Sequence, residues 1–311
     1  MKINTQYSLA AIVLALTFFS VPVWSAPEGD SKKQPLFASP DDAAAALVEA
    51  VRNTDAASII ALMGPDSDDW LFTGDDVADK EEWMRFLEAW DENHAISTPD
   101  DDYAVLLIGD EQWAFPAPIV MHNGQWRFDS AVGRAEVVNR RVGRNELNAI
   151  QVLLAAADAQ REYARRDADG DGFHNYADRF ISSEGEKDGL YWPVQPGEPQ
   201  SPLGPLIGVA TSEGYRQGDG TPQPYHGYLF RLLTEHGADA PGGAYNYVVN
   251  DRLLGGFALL AYPANYGVSG VMTLMVAHDG IVYQKDLGDA TATTAAAIQA
   301  FNPDASWTKA E

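Results

Sequence analysis

The chain has no cysteine among its 311 residues, which excludes disulfide bridges, thiolate metal sites and a cysteine nucleophile. The fold must therefore be stabilised by its apolar core. Basic residues are also scarce, since 21 Lys and Arg stand against 45 Asp and Glu and the formal net charge is −24. Nucleic-acid-binding proteins present a basic surface to the phosphate backbone. We therefore expect no nucleic-acid partner.

Short catalytic and nucleotide-binding signatures are missing as well. The sequence contains no GxSxG, HExxH, GxGxxG or GxxxxGK[ST] motif, so the usual serine hydrolase, zinc peptidase and nucleotide sites lack their marks. The six histidines show no close spacing of the kind that holds zinc. An enzyme site would have to assemble from distant residues, with acidic side chains and His226 or His278 meeting in a cleft between domains. We expect no required cofactor.

The first 25 residues have the pattern of a secretory signal peptide. Lys2 precedes an almost wholly apolar run from Tyr7 to Val23, and the run ends in VWSAPEGD. We predict cleavage after Ser25, with cleavage after Ala26 as the alternative. The expected mature protein is secreted into the periplasm and has no stable membrane span. An apolar run of about seventeen residues is near the lower limit for a span, so a retained anchor is the other reading.

The mature chain predicts an α+β protein of two domains. Residues 26–36 form a polar linker, and residues 37–140 contain helices followed by an antiparallel sheet. Ser39 and Pro40 predict the start of the first helix, a second short helix is expected over Asp55–Met63, and Asn123–Gly124 predicts a hairpin turn. Trp83, Phe86, Leu87 and Trp90 lie on one face of a predicted helix, which is typical of core packing. This order of elements resembles the nuclear transport factor 2-like fold, a cone that often encloses a pocket.

Residues 141–311 form the second predicted domain. Its longest helix is expected over 144–167, with Leu147, Ile150, Leu154 and Ala157 on the apolar face. A Pro/Gly-rich loop region over 181–208, several strands and a closing helix follow. The pattern is similar to the globular heads of type IV pilin-like proteins. The charged residues near Arg140 and Arg144 replace the apolar segment that pilins use for filament assembly, so only a soluble interaction module is expected from this resemblance.

Almost the whole mature chain resembles a bacterial envelope family of uncharacterised proteins, the domain of unknown function 2950. The resemblance rests on WRFD, GRNEL, AQREYA, DGLYWP, SPLGP, PYHGY, PGGAY and GVSGVMT, which lie between Trp126 and Thr273. Membership implies an envelope location in Gram-negative bacteria and brings no reaction, cofactor or catalytic residue.

One motif has a specific chemical meaning, because its residues match the register of a calcium loop. An EF-type loop needs oxygen ligands at positions 1, 3, 5, 7 and 12, an optional ligand at 9, and Gly at 6. Gly172 supplies the glycine, while position 12 is Asp instead of Glu and position 8 is His174. A polar turn that ends the long helix explains the same residues equally well. The candidate ligands are Asp167, Asp169, Asp171, Phe173 through its carbonyl, Asn175 and Asp178.

Two functions remain open at this point. The first is a non-enzymatic binding or interaction module of the cell envelope with a protein partner there, which the missing catalytic signatures favour. The second is an envelope hydrolase with a site in the cleft between the domains. The sequence does not indicate an oligomeric state.

Overall fold

The N-terminal helices of the computed structural model begin where the sequence places their caps. The structure describes residues 34–64, 67–167, 170, 172–215 and 223–310. The Ser39 hydroxyl accepts a hydrogen bond from the Asp42 amide at 3.1 Å, and Asp55 caps the second helix in the same way. Both predicted starts are confirmed. The helices are α1 (Pro40–Arg52), α2 (Ala56–Met63), α3 (Asp68–Leu71) and α4 (Asp76–Glu92).

These helices pack on a first antiparallel sheet with the strand order β1-β2-β4-β5, in which β3 also pairs with β2. The predicted hairpin is confirmed, because β4 and β5 pair around Asn123 and Gly124, and both turn residues have positive φ. The sequence interpretation missed β1, which is mostly exposed. The strands are β1 (His94–Asp100), β2 (Tyr103–Ile108), β3 (Trp113–Ala114), β4 (Ile119–His122) and β5 (Gln125–Phe128).

A single long helix, α5 (Ser130–Tyr163), connects two halves of the molecule. The N-terminal half comprises α1 to α4 and the first sheet, and the C-terminal half comprises the elements that follow α5. Helix α5 begins fourteen residues earlier than predicted, because Asp129 caps it and accepts a hydrogen bond from the Val132 amide. Its first turn lies against the loop between β3 and β4, because a Cβ atom at Gly133 would be 2.7 Å from the Ala117 backbone. The prediction that Leu147 is buried is wrong, since that side chain is 63% exposed.

The second sheet is antiparallel, has the order β15-β13-β12-β11-β6, and is buried on both faces. Leu259 and Leu274 face α5, while Leu260 and Met275 face α7 and a small sheet made of β14, β7 and β8. Two buried faces explain why these strands read as continuous apolar runs. The strands are β6 (Tyr228–Leu233), β7 (Glu235–His236), β8 (Tyr245–Asn246), β9 (Val248–Val249), β10 (Arg252–Leu253), β11 (Ala258–Pro263), β12 (Met272–Ala277), β13 (Val282–Asp286), β14 (Ala300–Phe301) and β15 (Thr308–Lys309).

Two further helices complete this half. Helix α7 (Thr291–Ala297) is the predicted closing helix, and a short 3-10 helix at Gly288–Ala290 precedes it. Helix α6 (Gly204–Glu213) lies partly within the region predicted as loop. Pro205 in its first turn and the left-handed Gly214 after its end are typical helix boundaries.

The apolar core of the N-terminal helices and first sheet is separate from the two cores that flank the second sheet. The predicted domain boundary after residue 140 falls inside α5, and the division into two domains stays a prediction. In the described part of the chain, no helix combines the length and apolar character that crossing a membrane requires.

Candidate functional site

Two cavities adjoin where α4 and the middle of α5 meet the C-terminal half. One is a polar cleft of about 210 Å³, and the other is an apolar chamber of about 380 Å³ inside the N-terminal half. They share four lining residues, Glu82, Arg85, Arg141 and Arg144. The two cavities therefore form one site with an apolar and a polar compartment.

The chamber is built from side chains of the helices α1 to α5 and of the first sheet with the loop between β3 and β4. Trp83 and Phe86, which the sequence predicts as core residues, line it, and Phe115 contributes from the sheet side. Both phenylalanines meet edge to face with ring centroids 5.5 Å apart. Protein interiors normally pack with few voids larger than a water molecule. An apolar cavity of this size is a typical place for a ligand.

Arg141 lies between the two compartments and is only 4% exposed. Its Nη1 donates a hydrogen bond to the Trp70 carbonyl at 2.7 Å, and its Nη2 reaches Glu82 at 3.3 Å. Its Nε is buried and has no partner. Buried guanidinium groups normally satisfy their donors, so Arg141 keeps one donor that no group of the described residues uses.

Glu82 receives two guanidinium groups, because Arg144 pairs with the carboxylate that also holds Arg141. One negative charge therefore faces two positive charges at the junction of the chamber and the cleft. The Arg144 side chain is 41% exposed, whereas the Arg141 side chain is buried. Arg144 is thus the guanidinium group that solvent and an entering ligand can reach.

Asp79 lies on the cleft side of α4 and is 6% exposed. Desolvation by burial raises the pKa of this carboxyl from 3.8 to about 6, against hydrogen bonds from the Thr73 amide and hydroxyl and the charge of Arg141, which lower it. The neighbouring charge of Glu82 raises it further. A carboxyl with a pKa near 6 can take up and release a proton close to neutral pH, as a general acid must.

His226 enters the cleft from the turn before β6. Its backbone is left-handed, with φ of 49°, a conformation that is uncommon for residues other than glycine and that is often found at functional sites. Its Nε2 is 3.6 Å from Glu213 Oε2 at the end of α6. Glu213 also accepts a hydrogen bond from the Tyr225 hydroxyl at 3.2 Å. The pair has the arrangement of a base with an orienting carboxylate.

The turn that carries His226 is fixed to the N-terminal half by Asp75. Oδ2 of Asp75 accepts hydrogen bonds from the Gly227 amide at 3.0 Å and from the Tyr215 hydroxyl at 2.9 Å. Burial and the nearby charge of Asp75 raise the pKa of Tyr215 well above its usual value, so the phenol stays a donor. Gly227 is required, since a Cβ atom there would lie 2.7 Å from Asn145 Nδ2.

The predicted calcium ligands are only partly described, because Asp169 and Asp171 lie outside the described residues. The exposed Asp167 accepts a hydrogen bond from the Gly172 amide at 3.0 Å. Asp178 pairs with Arg179 at 2.9 Å. The amide of Asn175 donates to the Tyr176 carbonyl, and the Phe173 ring lies 4.3 Å from the Arg252 guanidinium carbon. In the stretches that the structure describes, no group of three or more His, Asp or Glu residues is arranged for a metal. Calcium binding stays a prediction.

Several polar and aromatic residues outside the two cavities have structural partners. Asp188 accepts hydrogen bonds from the amide and hydroxyl of Ser183. The Tyr228 hydroxyl donates a hydrogen bond to the Met272 carbonyl at the core between α5 and the second sheet. His278 lines neither cavity, and its ring centroid is 6.4 Å from that of His236. Of the two predicted histidines, only His226 reaches the cleft.

The sequence did not indicate Asp79, Arg141 or Glu213 as site residues. Each belongs to a different element, and the closest of the three in sequence are still separated by about sixty residues. The available signals were two of the quoted segments, PYHGY with His226 and Gly227, and GRNEL with Arg144 and Asn145.

A family model described as "Protein of unknown function (DUF2950)" matches residues 34–310. The match covers both compartments of the site and all described elements. No curated protein and no solved structure matches the chain.

Proposed function

The chain belongs to the DUF2950 family, and we propose that this member is an exported protein of the cell envelope that binds a small, partly apolar molecule without transforming it. The apolar chamber is the observation that carries this proposal. It is about 380 Å³ in volume, within the range of about 300 to 1,000 Å³ that is typical of small-molecule sites. Most of its lining is aliphatic or aromatic, and its charged side chains come from α4 and α5.

A small molecule explains the structure better than a protein partner. Stable protein interfaces are commonly built on exposed apolar patches, whereas the apolar surface on which this proposal rests lines a cavity. A protein partner in the envelope is supported only by the predicted location.

A periplasmic location is supported by the apolar run and small residues of the first 25 positions. N-terminal sequencing of the protein recovered from the periplasmic fraction of a Gram-negative host tests it. We expect a mature start at Ala26, and a start at Pro27 agrees with export equally well. A start at Met1 in the membrane fraction would contradict the export part of the proposal.

Binding is tested with a neutral fluorescent probe, N-phenyl-1-naphthylamine, whose emission rises in apolar surroundings. We expect saturable enhancement with the wild-type protein and its loss in Ala89→Phe, which fills the chamber from α4. Glu88→Phe is the matched control, because it adds the same ring to the exposed side of that helix. Full probe binding in a folded Ala89→Phe variant would overturn the proposal, and so would equal loss in both variants.

The second candidate is the envelope hydrolase, and the arrangement of His226 and Glu213 favours it. His226 would accept a proton from an attacking water molecule while Glu213 orients the ring, and protonated Asp79 would supply the acid. Chromogenic esters and glycosides test this reading. Turnover that is lost in His226→Gln and kept in His174→Gln, whose side chain is exposed outside the site, would replace binding with catalysis as the function. If none of these esters and glycosides is hydrolysed faster with the protein than in buffer alone, the hydrolase function is ruled out.

A further inference from the structure

The charged residues that line the chamber have a positive net charge, although the net charge of the whole protein is strongly negative. Four arginines and one glutamate line the chamber, a formal excess of three positive charges, whereas the whole chain has a net charge of −24. The arginines are Arg85, Arg140, Arg141 and Arg144. Such a concentration against the overall composition indicates a site for negative charge.

Existing ion pairs leave this positive charge available. Arg85 and Arg140 pair with Glu81 and Glu136 on their own helices, where all four side chains are about half exposed. Exposed ion pairs of this kind contribute little to stability and are easily exchanged for other partners. At the junction, the single carboxylate of Glu82 pairs with both Arg141 and Arg144. A ligand that brings one negative group would balance the second guanidinium.

The position of that group follows from Arg141 and Arg144, which line both compartments and of which Arg144 is 41% exposed. The Nε atom of Arg141 is buried without a partner, while the other nitrogens of this side chain are held by main-chain carbonyls and Glu82. Guanidinium groups bind carboxylate and phosphate oxygens with short, charge-assisted hydrogen bonds. The cleft beyond is balanced differently, since Asp79, Glu81, Glu82 and Glu213 outnumber the three arginines there. An anion is therefore favoured at the junction of the chamber and the cleft and disfavoured in the rest of the cleft.

We propose that the ligand is an amphipathic anion, whose apolar body fills the chamber and whose single carboxylate or phosphate head binds Arg141 and Arg144. This inference rests on the proposed binding function and adds the chemical class of the ligand. Length selectivity follows from the apolar body, because each additional buried methylene strengthens binding roughly fourfold until the chamber is full.

The test compares ligands of one chain length that differ only in their heads. Decanoate, decyl phosphate, decanol and protonated decylamine compete with N-phenyl-1-naphthylamine for the wild-type protein at neutral pH and low salt. We expect decanoate or decyl phosphate to compete at concentrations about tenfold below decanol, with decylamine weakest. The relative order of the two anions distinguishes a carboxylate from a phosphate source.

Arg144→Gln shows whether the guanidinium group causes this preference. We expect the variant to bind decanol as the wild type does and to lose the preference for the anion, and Arg144→Lys to recover part of it. Arg134→Gln is the matched control, an exposed arginine of the same helix that lines neither cavity. Equal competition by all four heads, or an anion preference unchanged in Arg144→Gln, overturns this inference and leaves chamber binding intact. Failure of every compound and of the probe itself overturns both.

Discussion

Asp79 is the residue whose protonation is most closely linked to the stability of the site. Its pKa is about 6 in the folded protein, mainly because burial desolvates the carboxylate, against 3.8 when unfolded. Between these values the folded state binds the proton more tightly than the unfolded state, so stability falls as pH rises from about 4 to about 6 and stays lower above that. The shift corresponds to at most about 3 kcal/mol.

Asp79→Asn removes this titration. We expect the stability of the variant relative to the wild type to improve by about 1 to 3 kcal/mol between pH 4 and pH 7, because the wild type loses stability over that range and the amide does not. Urea unfolding at a series of pH values measures the difference, with the exposed neighbour Asp76→Asn as control. Parallel pH profiles for the wild type and Asp79→Asn would show that the carboxyl is not desolvated as described.

The sequence predicted most of the helices and strands around the site but few of the site residues. The types of those residues explain the difference. Asp, Arg and Asn are mostly exposed in proteins, so a helix that contains Asp79, or Arg141 and Asn145, is interpreted with those residues toward solvent. In the structure they are buried, because Thr73, the Trp70 carbonyl and the Ser269 carbonyl provide their partners. Partners supplied by distant parts of the chain leave no local pattern.

At the scale of elements, α5 shows the same effect on a whole helix. Its buried residues include Gly133, Arg141, Asn145 and Ala149, which are eight, four and four residues apart, so the buried face winds slowly around the helix. A prediction from hydrophobicity alone places Leu147 on the buried face, whereas the structure leaves this side chain exposed. The starts of α1 and α2 were predicted correctly because caps are local, and the buried strands because their apolar runs are continuous.

Two glycines of α5 allow a matched prediction about how this helix packs. A Cβ atom at Gly133 would lie 2.7 Å from the Ala117 Cα, whereas at Gly143 it would meet nothing within 4 Å. We expect Gly133→Ala to lower the free energy of unfolding by about 1 to 3 kcal/mol through overpacking. Gly143→Ala should raise it by about 0.5 to 1 kcal/mol, because alanine is the better helix former. Denaturant unfolding measures both, and a neutral Gly133→Ala would mean that α5 does not approach the loop between β3 and β4 this closely.

At the scale of the whole molecule, separate cores are held together by α5 and by a few buried polar contacts. The Asp75 carboxylate is the most connected of these, since it caps α4 through the Ala78 amide and also accepts hydrogen bonds from Tyr215 and Gly227. Its partners lie 140 and 152 residues further along the chain. Such contacts make the orientation of the two halves, and hence the cleft, a property that sequence patterns could not predict.

Asp75→Asn should weaken this connection selectively. The Asn oxygen can keep the cap, but its NH₂ group then faces the Gly227 N–H, and a buried main-chain donor is left without an acceptor at a cost of about 1 to 3 kcal/mol. We expect a lower Tm and a broader calorimetric transition, whose van 't Hoff enthalpy falls below the calorimetric enthalpy as the two halves begin to unfold separately. Asp55→Asn is the control, because Asp55 caps α2 in the same way without a contact to the other half and Asn is an equally good cap. A single sharp transition in Asp75→Asn, shifted no more than in Asp55→Asn, would mean that the cleft is held by α5 alone.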